Sequence, residues 1–351
     1  MKIFSIVGAR PQFIKLAPLS KLLSQFHEEI IVHTGQHYDY EMSEGIFKDL
    51  GIRNPDIHLE IEHKNPTVQI TEIMLKLEEA MIEHKPNLVI VFGDTNSTIA
   101  GALIAAKLCI PIVHIEAGLR SYNRDMPEEV NRIVTDHVSR YLFAPTKSAS
   151  AILKNEGMEK YTFLTGDIMV DTMKNNSKIA HEKSNIISDL RLQYEKYNIL
   201  TLHRNYNVDQ PKILYHVLDE IGKLDEPTVF PVHPRTKKKI TNTYSVPKNI
   251  RMIEPLGYLD FITLESSAKR IITDSGGIQK EAYILKKPCI TLRTETEWTE
   301  TVEEKWNLLI NPSKQTFFEE IDSFKVPMSQ TNIFGENVSN KMVNIINEIS
   351  N

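Results

Sequence analysis

The sequence predicts an α/β protein made of two doubly wound halves facing a central cleft. Three observations carry that expectation. The chain has 351 residues, more than one hydrophobic core ordinarily serves, so two domains are expected. Short runs rich in Val and Ile recur from end to end with little polar alternation, as in parallel strands buried on both faces. Between those runs lie stretches whose apolar residues repeat at helical spacing.

A first series of strand-like runs falls at 2–7, 29–33, 88–92, 110–115 and 141–144. A second follows at 199–202, 229–232, 250–253, 270–273 and 289–292. The spacing of Ile70, Ile73, Met74, Leu77 and Met81 predicts a helix, and so does that of Val130, Ile133, Val134 and His137 or Val138. Both stripes read as core faces. The polar segment 171–196, rich in Asn, Lys and Ser, reads as a linker region between a domain over 1–170 and a second over 197–335. A C-terminal helix over 336–351 carries Val338, Met342, Ile345, Ile346 and Ile349 on one face and is expected to pack back across the domains. Doubly wound sheets bind ligands at the carboxyl ends of their strands, so the cleft is the expected site.

Composition narrows the function. A net charge of −5 argues against nucleic acid as the main partner, since phosphate-backbone binders carry a basic excess. No apolar run is long enough to span a bilayer, and 3–7 is too short for a signal peptide and runs into Arg10. A cytoplasmic protein with no membrane partner is expected. Cys109 and Cys289, the two cysteines, are flanked by apolar residues and read as buried hydrophobes in a reducing compartment. His203 and His233 stand without an HxH, HExxH or Cys partner, so no metal is expected.

The most informative stretch is IITDSGGIQKEA at 271–282. A buried strand ends, Asp274 and Ser275 offer an N-cap, Gly276 and Gly277 permit close approach to the backbone, and a helix begins. Its first-turn N–H groups are unpaired and carry the positive end of the helix dipole. That arrangement invites an anion, most often phosphate, and Glu281 further along could accept the hydroxyls of a ribose. Glycines that merely relieve crowding at a turn would account for the same residues without a ligand.

Other strand ends add polar groups. Gly8-Ala9-Arg10-Pro11-Gln12-Phe13-Ile14-Lys15 places two cations, Arg10 and Lys15, at a helix start, without the spacing of a dinucleotide fingerprint or a P-loop. Asp94 follows the run 88–92, where Thr95 or Asn96 can cap the next helix. Glu116 closes an apolar strand, a costly place for a carboxylate unless it is paired or reactive; Arg120 is its candidate structural partner. Met126-Pro127-Glu128-Glu129 opens a helix, and Glu128 and Arg132 have the spacing of an ion pair. Asp94, Glu116 and Glu128 together form a set of candidate acids and bases. The loop Arg293-Thr294-Glu295-Thr296-Glu297-Trp298 either lines the site or is an exposed acidic loop.

Taken jointly, GARPQFIK, TGQHYD, GDTNST, HIEAGLRS, MPEEVNR, APT, TLHRNYN, PVHPRT and DSGGIQKEA resemble the non-hydrolysing UDP-N-acetylglucosamine 2-epimerase family. The resemblance runs from the N-terminus to about residue 303. It implies two Rossmann-like domains in the GT-B architecture, the first on the sugar side with the carboxylates and the second binding UDP. It also implies that Arg10, His203, Ser275, Gly276 and Gly277 hold the diphosphate and Glu281 the ribose, while Lys15, Asp94, Glu116, Glu128 and Arg132 surround the sugar. Asp94, Glu116, Glu128 and His203 are the implied catalytic residues. The implied reaction inverts carbon 2 by eliminating UDP and adding it back, without a cofactor, in a homodimer that feeds cell-surface polysaccharide (capsule) synthesis. Which carboxylate removes the proton and which returns it stays open. Many bacterial members read GTRPE at the first loop and ERPE at 297–300; TGQHYDYEM here replaces a region tied to activation by substrate at a second site. The GARPQF and TEW forms also resemble relatives acting on UDP-2,3-diacetamido-2,3-dideoxy-glucuronic acid. Two further functions compete with epimerisation, a GT-B glycosyltransferase sharing the diphosphate site and a non-catalytic nucleotide-sugar sensor.

Overall fold

The computed structural model describes residues 1–35, 51–61, 65–240 and 244–350. Most of TGQHYDYEM therefore lies outside the described residues. The chain divides into two compact units, Met1–Thr172 with Asn332–Asn351, and Met173–Thr331.

In the first unit the strands are β1 (Lys2–Val7), β2 (Glu28–His33), β3 (Ile57–His58), β4 (Leu88–Phe92), β5 (Ile112–Ile115), β6 (Tyr141–Ala144) and β7 (Thr162–Leu164). They form one parallel sheet in the order β3-β2-β1-β4-β5-β6-β7. Every residue of β4 is buried, which accounts for its unbroken LVIVF run. One face packs Leu16 and Leu19 of helix Arg10–Leu23 on Ile3, Ile90 and Phe92; Val338, Met342 and Ile346 of helix Val338–Ile349 complete that core. The other face buries Phe4, Ile6 and Val91 under Ile73 and Leu77 of helix Pro66–His84 and Ala100 of helix Asn96–Lys107.

The second unit repeats the plan with β8 (Asn198–Thr201), β9 (Thr228–Pro231), β10 (Ile250–Ile253), β11 (Arg270–Thr273), β12 (Cys289–Thr291) and β13 (Asn307–Leu309). The order is β10-β9-β8-β11-β12-β13, again parallel. Leu214, Val217 and Leu218 of helix Pro211–Ile221 pack on Leu200, Phe230, Ile272 and Ile290. Each sheet is doubly wound, the strand order reversing between β1 and β4 and between β8 and β11. The loops leaving those four strands are the ligand positions of such a sheet.

Several expectations need correction. Strands β3, β7 and β13 escaped sequence reading because they are edge strands of two or three residues, too short to show a pattern. Segment 171–196 contains most of helix Met169–Lys183 and all of Ile186–Asp189, and Ile186 joins a core with Tyr197, Ile199 and Leu264. Cys109 is exposed, on a left-handed backbone turn at φ +57°, whereas Cys289 is buried. Helix Pro127–Val138 buries Glu129, Asn131, Arg132, Thr135 and Asp136 and leaves Val130 44% exposed. Its inward face is therefore polar, and the reason lies in the site.

Candidate active site

Helix Arg10–Leu23 starts where β1 ends, and buried Gln12 locks that corner. Its Oε1 accepts the amides of Gly8 and Ala9 at 2.8 and 3.1 Å, and its Nε2 donates to the Phe92 carbonyl at 2.9 Å and Thr98 Oγ1 at 3.0 Å. Gln12 thus hydrogen-bonds the loops after β1 and β4 to one another. Arg10 is half-buried in the first turn. Lys15, buried one turn later, donates through Nζ to the carboxylate of Glu116. Glu116 leaves β5 at φ +73°, a conformation non-glycine residues avoid unless the surroundings enforce it. A Cβ on Gly93 would stand 3.1 Å from Glu116 Oε2 and 3.3 Å from Lys15 Nζ, so the ion pair lies directly against that glycine.

Asp94 follows Gly93. Its Oδ2 accepts from Arg132 Nε at 3.0 Å and Nη2 at 2.6 Å, and its carbonyl accepts from Asn131 Nδ2 at 2.8 Å. Arg132 Nη1 also donates to Glu129 Oε2 at 3.1 Å. Burial alone would raise the Glu129 carboxyl, but donation by the amides of Ser121 and Tyr122 and the Ser121 hydroxyl, with Arg132 beside it, holds it below the usual range. Glu128, half-buried in the same turn, has no hydrogen bond or ion pair to a described residue.

Beneath these groups lies a second layer. His114 presents Nδ1 to Asp136 Oδ1 at 2.6 Å and Nε2 to the Gly93 carbonyl at 2.7 Å. Arg120 donates to Asp136 Oδ2 at 2.7 Å and to Glu156 at 2.7 and 2.9 Å. Burial works against the Asp136 charge, and His114 and Arg120 outweigh it, so its carboxyl is held low. This layer fixes the carbonyl of Gly93 and with it the backbone that carries Asp94.

In the second unit β11 runs into helix Gly276–Ile284 without a side-chain cap at Ser275. The first-turn amides of Gly276 and Gly277 consequently lack intrahelical partners. A Cβ on Gly277 would meet only Ser275 Oγ, at 3.9 Å, whereas one on Gly276 would collide with the Glu297 carboxylate. Gly277 thus presents bare backbone, while Gly276 is buried against the Glu297 carboxylate. Glu281 is half-buried further along the same helix. His203, after β8, directs Nδ1 at Asp274 Oδ1 across 3.0 Å. His233 is exposed and its Nδ1 accepts the Arg235 amide at 3.2 Å.

Some partners differ from expectation. The cation on Glu116 is Lys15, and Arg120 belongs to Asp136 and Glu156. Arg132 reaches Asp94 and Glu129. The loop after β12 is only partly exposed: Thr294 and Glu295 face solvent, while buried Arg293 pairs at 2.9 Å with the half-buried Glu297, and Trp298 is buried under the Lys280 ammonium, 4.4 Å from its ring centre. Asp274 caps no helix; it accepts from the His203 and Arg204 amides and from Asn207. Sequence reading passed over Gln12, His114 and Asp136. The available signal was a polar residue inside an apolar pattern, visible for His114 within IVHI. Among the described residues no group of three or more His, Cys, Asp or Glu is placed to hold a metal ion, and no helix is long and apolar enough to cross a membrane.

Residues 22–347 match the profile of a family described as UDP-N-acetylglucosamine 2-epimerase. A UDP-N-acetylglucosamine 2-epimerase homolog of Methanococcus maripaludis is 47% identical, covering 100% of both chains. A UDP-2,3-diacetamido-2,3-dideoxy-D-glucuronate 2-epimerase of Pseudomonas aeruginosa is 43% identical over 91% of each. Among solved structures, a UDP-GlcNAc 2-epimerase of Methanocaldococcus jannaschii in complex with UDP-GlcNAc and UDP superimposes with a TM-score of 0.89 at 39% identity, covering 99% of this chain and 100% of that one.

Proposed function

This chain belongs to the UDP-N-acetylglucosamine 2-epimerase family, and on that premise we propose that it is a non-hydrolysing 2-epimerase converting UDP-N-acetylglucosamine to UDP-N-acetylmannosamine. The observation that carries the proposal is how the two sheet switch points are furnished. One is the Gly276-Gly277 helix start, uncapped by a side chain and open at Gly277, suited to a diphosphate. The other gathers Asp94 and Glu116, each on its own cation, with Glu128 on the helix that supplies Arg132.

In this reading Arg10, His203, Ser275, Gly276 and Gly277 hold the diphosphate and Glu281 the ribose, which makes the second unit the UDP-binding domain. Lys15, Asp94, Glu116, Glu128 and Arg132 surround the sugar from the first. A carboxylate removes the proton on C2 as the C1–O bond breaks, leaving 2-acetamidoglucal and UDP. UDP then adds back to C1 while C2 receives a proton on the opposite face. The C2 proton is weakly acidic, so the step needs both a positioned base and electrostatic support for the departing diphosphate.

Incubation with UDP-N-acetylglucosamine in heavy water tests this by proton NMR. Deuterium at C2 of both epimers with little free sugar is expected; protium retained at C2 of the product would overturn elimination. The 43% identity to the P. aeruginosa enzyme favours UDP-2,3-diacetamido-2,3-dideoxy-glucuronic acid as the second substrate reading, and the same experiment run on that sugar separates the two. A homodimer in the cytoplasm serving polysaccharide synthesis completes the proposal. Helix Pro66–His84 supports the dimer, since Val68, Leu75 and Ile82 recur at heptad spacing with Leu75 and Ile82 57% and 58% exposed.

A further inference from the structure

Asp274 is wholly buried, yet it faces a histidine ring whose side chain is 53% exposed. Its two oxygens accept from the His203 amide at 3.1 Å, the Arg204 amide at 3.0 Å and Asn207 Nδ2 at 3.0 Å, while Oδ1 also lies 3.0 Å from His203 Nδ1. Asn207 in turn donates to the Leu292 carbonyl at 3.1 Å. One carboxylate therefore ties together the loops that leave β8, β11 and β12. Burial opposes its charge, and the His203 ring, Asn207 and the Arg204 amide outweigh that penalty, keeping the carboxyl below the usual aspartate range. An ionised carboxylate only accepts. It therefore keeps the shared proton on Nδ1 and leaves Nε2 as the nitrogen free to face a ligand.

We propose that Asp274 is the positioning residue of the reaction: it holds the Nδ1 proton of His203, fixes the tautomer of the ring and presents Nε2 to the leaving diphosphate. This rests on the reading of His203 given above. Among the described residues, Arg204 and Tyr206 on the β8 side lie beside the pair, and Arg293 and Glu297 on the β12 side act on Tyr206. Among the described contacts, Asp274 alone lies on Nδ1. An amide in its place would keep the volume but offer an N–H to the ring, which selects the wrong tautomer.

The test compares Asp274→Asn, His203→Ala and the double variant by deuterium exchange at C2 of UDP-N-acetylglucosamine. Asp274→Asn is expected to slow exchange about 100-fold or more, and the double variant to be no slower than His203→Ala alone, because Asp274 acts only through the ring. Additive losses would mark Asp274 as structural and overturn the proposal, as would near-parent exchange in Asp274→Asn beside an impaired His203→Ala. Near-parent exchange in His203→Ala would instead overturn the reading of His203. Nitrogen NMR of the parent protein decides the tautomer even if a variant fails to fold. At a pH where the ring is neutral, the proton on Nδ1 supports the proposal, and a proton on Nε2 overturns it.

Discussion

Arg132 grips Asp94 through two nitrogens on one oxygen, Nε at 3.0 Å and Nη2 at 2.6 Å from Oδ2. The contact joins the loop after β4 to the helix that also carries Glu128, and it sets Asp94 in one rotamer. A guanidinium fork does this; a lysine supplies a point charge without the planar geometry. Arg132→Lys should therefore lower kcat while leaving UDP affinity near the parent value, because Arg132 is assigned to the sugar and UDP to Arg10 and to residues of the second unit. Calorimetry with UDP beside steady-state kinetics checks it; a matching loss of UDP affinity would count against that assignment.

The three carboxylates should separate by stability. Glu128 has no partner among the described residues, so Glu128→Gln should leave Tm within about 1 °C of the parent. Glu116→Gln strands buried Lys15 without its counter-charge and should lower Tm measurably. Turnover should fall about 100-fold or more in both and in Asp94→Asn. A Glu128→Gln enzyme with parent turnover would remove that residue from the catalytic set.

Acid should loosen the first unit through Asp136. Its folded carboxyl lies below the ordinary value, burial being outweighed by His114 and Arg120. A depressed acid contributes stability that is complete above the unfolded value, about 3.9, and disappears as pH falls through the folded one. Asp136→Asn should cost about 3 kcal/mol or more at neutral pH by uncovering buried Arg120, and should flatten the acid limb of a Tm-against-pH curve. An unchanged acid limb would assign the loss to other carboxylates.

The exposed stripe on helix Pro66–His84 gives the oligomer test. Leu75→Glu with Ile82→Glu should convert a dimer to a monomer in light scattering, with circular dichroism unchanged. A dimer that survives the double change places the contact on another face.

Sequence alone determined the repeated α/β plan, because strands buried on both faces must be apolar throughout. For β4 that reads directly as LVIVF. It also placed Asp94, Glu116, His203 and the Ser275-Gly276-Gly277 corner at strand ends, since a doubly wound sheet puts its ligand loops there. Pairing was the tertiary structure's decision. Lys15 and Glu116 stand 101 positions apart, and Asp94 and Arg132 stand 38 apart; no local spacing rule reaches so far. Helix Pro127–Val138 shows the reason most sharply. Its apolar residues repeat at helical spacing, so the pattern favours burying Val130, yet the fold turns Glu129, Arg132 and Asp136 inward. Each of those charges meets a partner there, in Ser121 and Tyr122, in Asp94, and in His114 with Arg120. Periodicity records how apolar a face is, whereas burial of a charge depends on partners that only the folded chain brings within reach.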